Sequence, residues 1–348
     1  MYENGSGGVV RDEGEAVKWY LKAAEHGDAD RLCKLGFRIY DIAAGHGGEN
    51  VHEWYLAAAR ILQKASEHGI PDAQYRLGYM YSNGQGVRHD NEKAIDLYQK
   101  AAKQGNADAQ YKLGEMYEKG KALMQNLDKA LELYREAAEH GNANAQYRLG
   151  TMYKKGIAVK PDEIDSLKWF GKAAGNYQTA AGKGDADAQY RLGCMYYELN
   201  GFIGADFEPS SNVYRARDIE EAFGIAARWF KEAAKNGRLI AKYKLGMMYW
   251  WGMKGISEPD GTVIQRGVAW DRNEALKWFE EAAEEGYVFA QNRLGDIYSK
   301  GEDVTLNYAV AANWYRKAAA QGNASAKKSL DALRKAGKIS DPGRTRTG

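Results

Sequence analysis

Lys34, Arg76, Lys112, Arg148, Arg191, Lys244 and Arg293 each stand two residues before the glycine of a recurring Leu-Gly step. A cation repeated at one structural place can pair with an acid of its own helix, or it can present positive charge to an outside anion. Acids stand four residues earlier at Asp30, Asp72, Asp108 and Asp187, and an i, i+4 pair on a helix contributes about 0.2–0.5 kcal/mol. In the other three copies Asn144, Ile240 and Phe289 occupy that place. Arg148, Lys244 and Arg293 are therefore the bases expected to meet an outside partner, an acidic peptide or a phosphate backbone. Helices stacked about 8–10 Å apart would space such a ladder at about one Debye length.

Aromatic residues form the second set. Tyr249 takes a core place at the end of its helix, which directs Trp250 and Trp251 toward solvent at the mouth of a long loop, where an exposed pair can anchor a partner. The competing reading is that the long loops fold back and bury both rings. Tyr197, Phe202, Phe207, Tyr214 and Trp270 lie in or beside the two longest loops and complete the candidate partner-binding set.

Catalytic and metal chemistry have little to stand on. His26, His68 and His140 each precede a glycine where a helix ends, so they read as caps interacting with the last carbonyls. His46 and His52 have no Cys or acidic cluster to complete a coordination set. No Walker A, G-x-S-x-G, H-E-x-x-H or C-x-x-C pattern occurs. No enzyme activity, cofactor or metal is expected.

The elements that position these residues come from one phrase, ADAQYKLGEMYEKG at 107–120 and its copies. A nine-residue step joins Gly27 to Gly36, Gly69 to Gly78, Gly105 to Gly114, Gly141 to Gly150, Gly184 to Gly193, Gly237 to Gly246 and Gly286 to Gly295. Within one copy Ala109, Leu113, Met116 and Tyr117 share one helical face, which predicts an amphipathic helix, here called A. Gly114 lies beside that stripe, where a missing side chain admits a second helix at close range. A Gly-rich turn such as Gly84-Gln85-Gly86-Val87 follows. A B helix comes next, with a bulky pair before an Ala-Ala pair: Leu97-Tyr98, Leu133-Tyr134, Trp229-Phe230, Trp278-Phe279 and Trp314-Tyr315. In the second unit Ile61-Leu62 fill those slots. In the fifth, Trp169-Phe170 comes seven residues early and Asn176-Tyr177 takes the usual slots. The turns at Gly120-Lys121-Ala122-Leu123 and Gly301-Glu302-Asp303-Val304 keep only the first glycine, which leaves their geometry open.

This pattern of A-x-x-x-L-G-x-x-Y, a G-x-G-V turn and an aromatic pair before A-A-x-x-G resembles the Sel1-like repeat family, relatives of the tetratricopeptide repeats, over roughly residues 1–335. The resemblance implies an all-α fold, a right-handed α-α superhelix of about eight helix-turn-helix repeats. It also implies a non-catalytic scaffold or adaptor that binds a partner protein or peptide on the A-helix face and the long loops. An accessory or regulatory subunit of an enzyme or nucleic-acid-linked complex, using the basic ladder, is the alternative.

The 348 residues are expected to form a repeat array over 1–336, beginning within a repeat, with long loops at about 199–220 and 250–271 and a disordered polar tail at 337–348. Ser329-Leu330-Asp331 replaces Arg-Leu-Gly in the last A helix, which suits a closing cap. Net charge is +2 from 49 basic and 47 acidic residues, so no global field favours nucleic acid or an anionic membrane. Cys33 and Cys194 lie too far apart along an array to bridge. No apolar run could span a bilayer, and the first residues lack a basic segment followed by an apolar core, so they are not expected to form a signal peptide. A cytoplasmic, monomeric protein is expected, with a protein or peptide as its partner and nucleic acid as the lesser possibility.

Overall fold

A computed structural model describes residues 12–45, 50–120, 122–198, 219–252 and 268–339. Sixteen helices alternate in the expected order among the described residues. The B helices are α1 (Glu13–Ala24), α3 (Val51–Glu67), α5 (Asn91–Lys103), α7 (Leu127–Glu139), α9 (Glu163–Gly182), α11 (Ile219–Lys235), α13 (Arg272–Glu284) and α15 (Tyr308–Ala320). The A helices are α2 (Ala29–Gly45), α4 (Pro71–Asn83), α6 (Ala107–Lys119), α8 (Ala143–Lys155), α10 (Ala186–Glu198), α12 (Leu239–Trp251), α14 (Val288–Lys300) and α16 (Ala324–Lys335). Two compact units divide at Ala173/Ala174, inside α9.

In both units an aromatic or aliphatic side chain of the B helix closes on the A-helix glycine. A methyl on Gly114 would fall 2.7 Å from Cε1 of Tyr134, and one on Gly246 would fall 2.5 Å from the ring of Phe279. Neither gap admits a carbon atom, so the glycine fixes how closely the helices approach. Leu62 fills the same place against Gly36.

The ring against Gly150 is that of Phe170, not of Tyr177. This corrects the expectation that Asn176-Tyr177 takes the usual slots. α9 runs unbroken for 20 residues, so the seven extra residues add about two turns and leave the inward face unchanged. Phe170 and Tyr177 are accordingly both buried.

The A-to-B turns share one geometry although their residues differ. Gly84, Gly120, Gly156 and Gly301 end their helices in the left-handed region. Two residues on, Gly86, Ala122, Ala158 and Asp303 are left-handed too, with φ between 55° and 65°. A backbone bond then closes each turn: Asp90 N–H to Tyr81 O at 3.1 Å, Asn126 to Tyr117 at 3.0 Å, Asp162 to Tyr153 at 3.1 Å and Asn307 to Tyr298 at 3.0 Å. The loss of the second glycine thus leaves the turn intact, and alanine or aspartate carries the strain of a positive φ.

Candidate rim and A-helix face

Within each unit two kinds of polar link tie a repeat to the next. The first begins at a glutamine four residues before the Leu-Gly glycine, buried in every described copy that has it. Its amide donates to a carbonyl of the preceding B helix, as Gln189 does to Ala181 O at 3.2 Å and Gln291 to Ala283 O at 3.0 Å. Its oxygen then accepts from the end of the following B helix: Gln104 to Gln74 at 2.9 Å, Asn236 to Gln189 at 2.9 Å and Gln321 to Gln291 at 2.9 Å. In α12 the glutamine is replaced by Lys242, and the partner becomes Glu285, at 2.5 Å. A neutral amide pair has been exchanged for an ion pair at the same joint, and those two carboxylates, Glu285 and Glu281, raise the Lys242 pKa against the lowering effect of burial.

His140 belongs to this link. Its Nδ1 lies 3.0 Å from Oε1 of Gln110, whose own amide donates to Ala102 O and to Glu136. Only the glutamine oxygen is left to accept, so His140 donates through Nδ1. The expected role at the helix end is therefore extended to a specific contact with the preceding repeat.

The second link uses the first-turn acids. Asp72 accepts from the Asn106 amide at 2.8 Å, Asp108 from Asn142 at 2.7 Å, and Asp187 pairs with Arg238 Nε at 2.7 Å. Asn106, Asn142 and Arg238 are the N-cap residues of the next A helices. Side chains on a helix lean toward its N-terminus, which carries a first-turn acid to the neighbouring N-cap and away from the base four residues on. Burial raises the Asp108 pKa, with Arg76 and the Asn142 bond opposing it.

Six of the seven ladder bases are engaged elsewhere. Arg76 stacks on Phe37 at 5.0 Å and Tyr40 at 4.6 Å. Lys112 pairs with Glu115 at 2.8 Å. Burial would raise the Glu115 pKa, but Lys112 and Lys119 outweigh it and hold the carboxyl low. Arg191 also has partners within the chain. The three bases assigned to an outside partner follow suit. Arg148 donates from Nε to Glu118 at 2.9 Å, and burial lowers its pKa. Lys244 lies 5.3 Å from the Tyr197 ring. Arg293 lies 4.8 Å from the Trp250 ring and pairs with Glu302 at 3.3 Å.

Trp250 and Trp251 separate. Trp250 is 1% exposed and packs on Phe279, with ring centroids 6.1 Å apart. This corrects the expectation that Tyr249 alone turns inward: Trp250 lies four residues past Gly246 and reaches the ring that Gly246 admits. Trp251 is 60% exposed. It stands where Asn83, Lys119, Lys155 and Lys300 stand in other copies. Trp270, 54% exposed, flanks the other end of the same loop, whose base keeps the ordinary closing bond, Asp271 N–H to Tyr249 O at 3.0 Å. The closing bond is kept, but Gly252 ends α12 with ψ at 128°, outside the left-handed region that Gly84, Gly120, Gly156 and Gly301 occupy. Tyr197 is half-buried and packs edge-on to Phe223 at 5.5 Å. Phe202, Phe207 and Tyr214 lie outside the described residues, as do most of both long loops and the tail from 340 on.

Sequence reasoning passed over another deviation. The place held by Asp72, Asp108 and Asp187 is held in α14 by Phe289, 55% exposed and 5.7 Å from the ring of Tyr287. Its signal in the sequence is the acid missing four residues before Arg293. Among the described residues no group of His, Cys, Asp and Glu could hold a metal, and no helix is long and apolar enough to cross a membrane.

Comparison with known proteins agrees with the repeat geometry. Over 101 residues the chain is 31% identical to the chitin synthase regulator SKT5 of Saccharomyces cerevisiae, a match covering 28% of this chain and 14% of that protein. It therefore spans only a small part of that relative. The structure is similar to that of a Sel1 repeat protein from Oxalobacter formigenes, with a TM-score of 0.53 and 26% identity over 82% of this chain and 96% of that one. A protective antigen of uropathogenic Escherichia coli strains displaying an SLR fold is 30% identical over 96% of this chain and 62% of that chain, with a TM-score of 0.44. The Sel1 repeat profile matches residues 1–28, 71–106, 107–142, 143–176, 186–208, 215–237, 239–262, 261–287 and 288–323. With all-α repeats, glycine-seated rings and matches over most of its length, the chain belongs to the Sel1 repeat family.

Proposed function

We propose that the chain is a non-catalytic scaffold, a repeat array over 1–336 that holds a partner protein or peptide on its A-helix face and along the rim where the loops emerge. One observation carries this reading: Trp251 is exposed at a place where the other described copies with the Leu-Gly step have Asn, Asp, Glu or Lys. The residues that recur are occupied with packing and inter-repeat links, so a large exposed ring at a deviating position is the feature left for recognition. A regulatory subunit is the second reading, supported by the name of the yeast relative and by the limited stretch that matches it. The pairing of the ladder bases within the chain weakens a role on nucleic acid.

Affinity capture from the native lysate, read by mass spectrometry, tests the scaffold reading. Wild-type protein should retain a reproducible partner, and Trp251→Ala should lower its yield about tenfold, as loss of an interface anchor does. Equal recovery with Trp251→Ala removes the ring from the interface. Absence of any retained protein contradicts the scaffold.

A further inference from the structure

The first turns of the A helices change sign along the chain. Between the eighth and third residues before the glycine position, the first five A helices carry six acids and one base. The last three carry four bases, Arg238, Lys242, Lys327 and Lys328, and no acid. Two of these bases are engaged inside the second unit, Arg238 by Asp187 at 2.7 Å and Lys242 by Glu285 at 2.5 Å. Lys327 and Lys328 lie exposed on α16.

An aromatic row accompanies the bases. The rings of Tyr243 and Tyr287 are 5.4 Å apart, those of Tyr287 and Phe289 5.7 Å. Val288 packs against the core cluster that α15 and α16 share, and first turns of consecutive A helices adjoin where Asp72 bonds Asn106 and Asp108 bonds Asn142, an arrangement that sets Phe289 beside the first turn of α16. In earlier repeats the residue at the Phe289 place ties the N-cap 34 residues on, as Asp108 ties Asn142. Here that N-cap is Asn323. The array has given up a link between repeats and set an exposed ring in its place. Local rules are broken in this way where recognition compensates for the loss.

We infer that the rim formed by the first turns of α12, α14 and α16 binds an acidic peptide segment of a partner protein, seating an apolar side chain on Phe289 and Tyr287 and its carboxylates toward Lys327 and Lys328. The inference rests on the scaffold reading and names the partner chemistry for one part of it. A peptide fits better than a nucleic-acid strand because two of the four bases are already neutralised. That leaves a short charged border around rings, where a phosphate backbone would need a continuous track.

The test is fluorescence anisotropy on the full chain with a labelled Glu/Asp peptide carrying a central Phe. The same peptide with a central Ala and a single-stranded oligothymidylate of equal charge serve as comparisons. The Phe peptide should bind saturably and the Ala peptide roughly tenfold more weakly. Phe289→Asp should weaken the Phe peptide by at least about tenfold with the melting temperature unchanged or raised, because the introduced carboxylate can tie Asn323. Lys327→Glu/Lys328→Glu, at exposed positions, should weaken it by a similar factor without lowering the melting temperature. No saturable peptide binding, equal binding of the two peptides, or oligothymidylate binding as tight as the peptide and lost in the same variants would each overturn the assignment. Capture of native partners that survives Phe289→Asp removes this rim and leaves the scaffold standing, whereas absent capture by the wild type removes the scaffold while the titration still decides the rim.

Discussion

Trp250→Ala is expected to destabilise the second unit by about 3–5 kcal/mol, the range for removing a large buried ring, whereas Trp251→Ala should stay within about 0.5 kcal/mol. The difference follows from the residue that faces each repeat's glycine. Where that residue is tyrosine, the side chain four past the glycine bonds its hydroxyl: Ser82 to Tyr98 at 3.2 Å, Glu118 to Tyr134 at 2.8 Å, Ser299 to Tyr315 at 3.1 Å. Phe279 has no hydroxyl, and Trp250 meets it ring to ring. Two guanidinium groups then stack on the same indole, Arg272 at 4.0 Å and Arg293 at 4.8 Å. Deleting the indole opens a cavity and strips both arginines of their stacking surface. Urea denaturation followed by circular dichroism measures the loss, and a Trp250→Ala midpoint equal to wild type contradicts the burial. A binding assay on Trp250→Ala would confound folding with recognition, so Trp251 alone is the informative position.

Gly86→Ala should cost about 2–5 kcal/mol, combining an overpacking term of about 1–3 kcal/mol with a left-handed penalty of about 1–2 kcal/mol. The positive φ by itself is tolerable, since Ala122 and Ala158 adopt it at the equivalent place. What distinguishes Gly86 is its neighbour: a methyl there would lie 2.2 Å from the Tyr55 carbonyl carbon and 2.4 Å from Leu56 N. Both are backbone atoms of α3, which has 17 residues against the 13 of α5 and α7. A side chain could rotate aside, but a helix backbone must move as a body. The full G-x-G-V turn is thus retained where a longer B helix crowds the loop. Thermal melting should show the loss in Gly86→Ala, and an unchanged melting temperature would mean that the loop and α3 do not meet as described.

Period and face were legible in the sequence because they depend on near neighbours. The nine-residue glycine step, the inward stripe of Leu113 and the ring slots all follow from 3.6 residues per turn, and the matched glycine and ring contacts agree with them. Links between repeats were not legible by the same means. Asp72 and Arg76 satisfy an i, i+4 rule, yet Asp72 bonds a residue 34 positions away. The buried glutamines carry no local signal of their role, because Gln104, His140, Asn236 and Gln321 close on them from other helices. One signal was available in advance: Lys242 replaces a glutamine in the same copy whose partner position holds Glu285, a compensated exchange. Trp250 was misplaced for a related reason. Its direction follows from its place four residues past Gly246, from which Ser82, Glu118 and Ser299 reach the equivalent ring; what α12 alone does not contain is that this ring is Phe279, 29 residues further along the chain and without a hydroxyl to bond.

The central claim is that recurring residues hold the array together and deviating residues on its rim recognise the partner. It is tested most directly by giving the deviating positions the repeat's own residues, Trp251→Lys after Lys119, Lys155 and Lys300, and Phe289→Asp after Asp72, Asp108 and Asp187. Native-lysate capture by this double variant, compared with wild type at matched concentration, is the measurement. The expected result is a folded array, melting at or above the wild-type temperature, that no longer retains the partner. Recovery of the same partner in the same yield would contradict the claim.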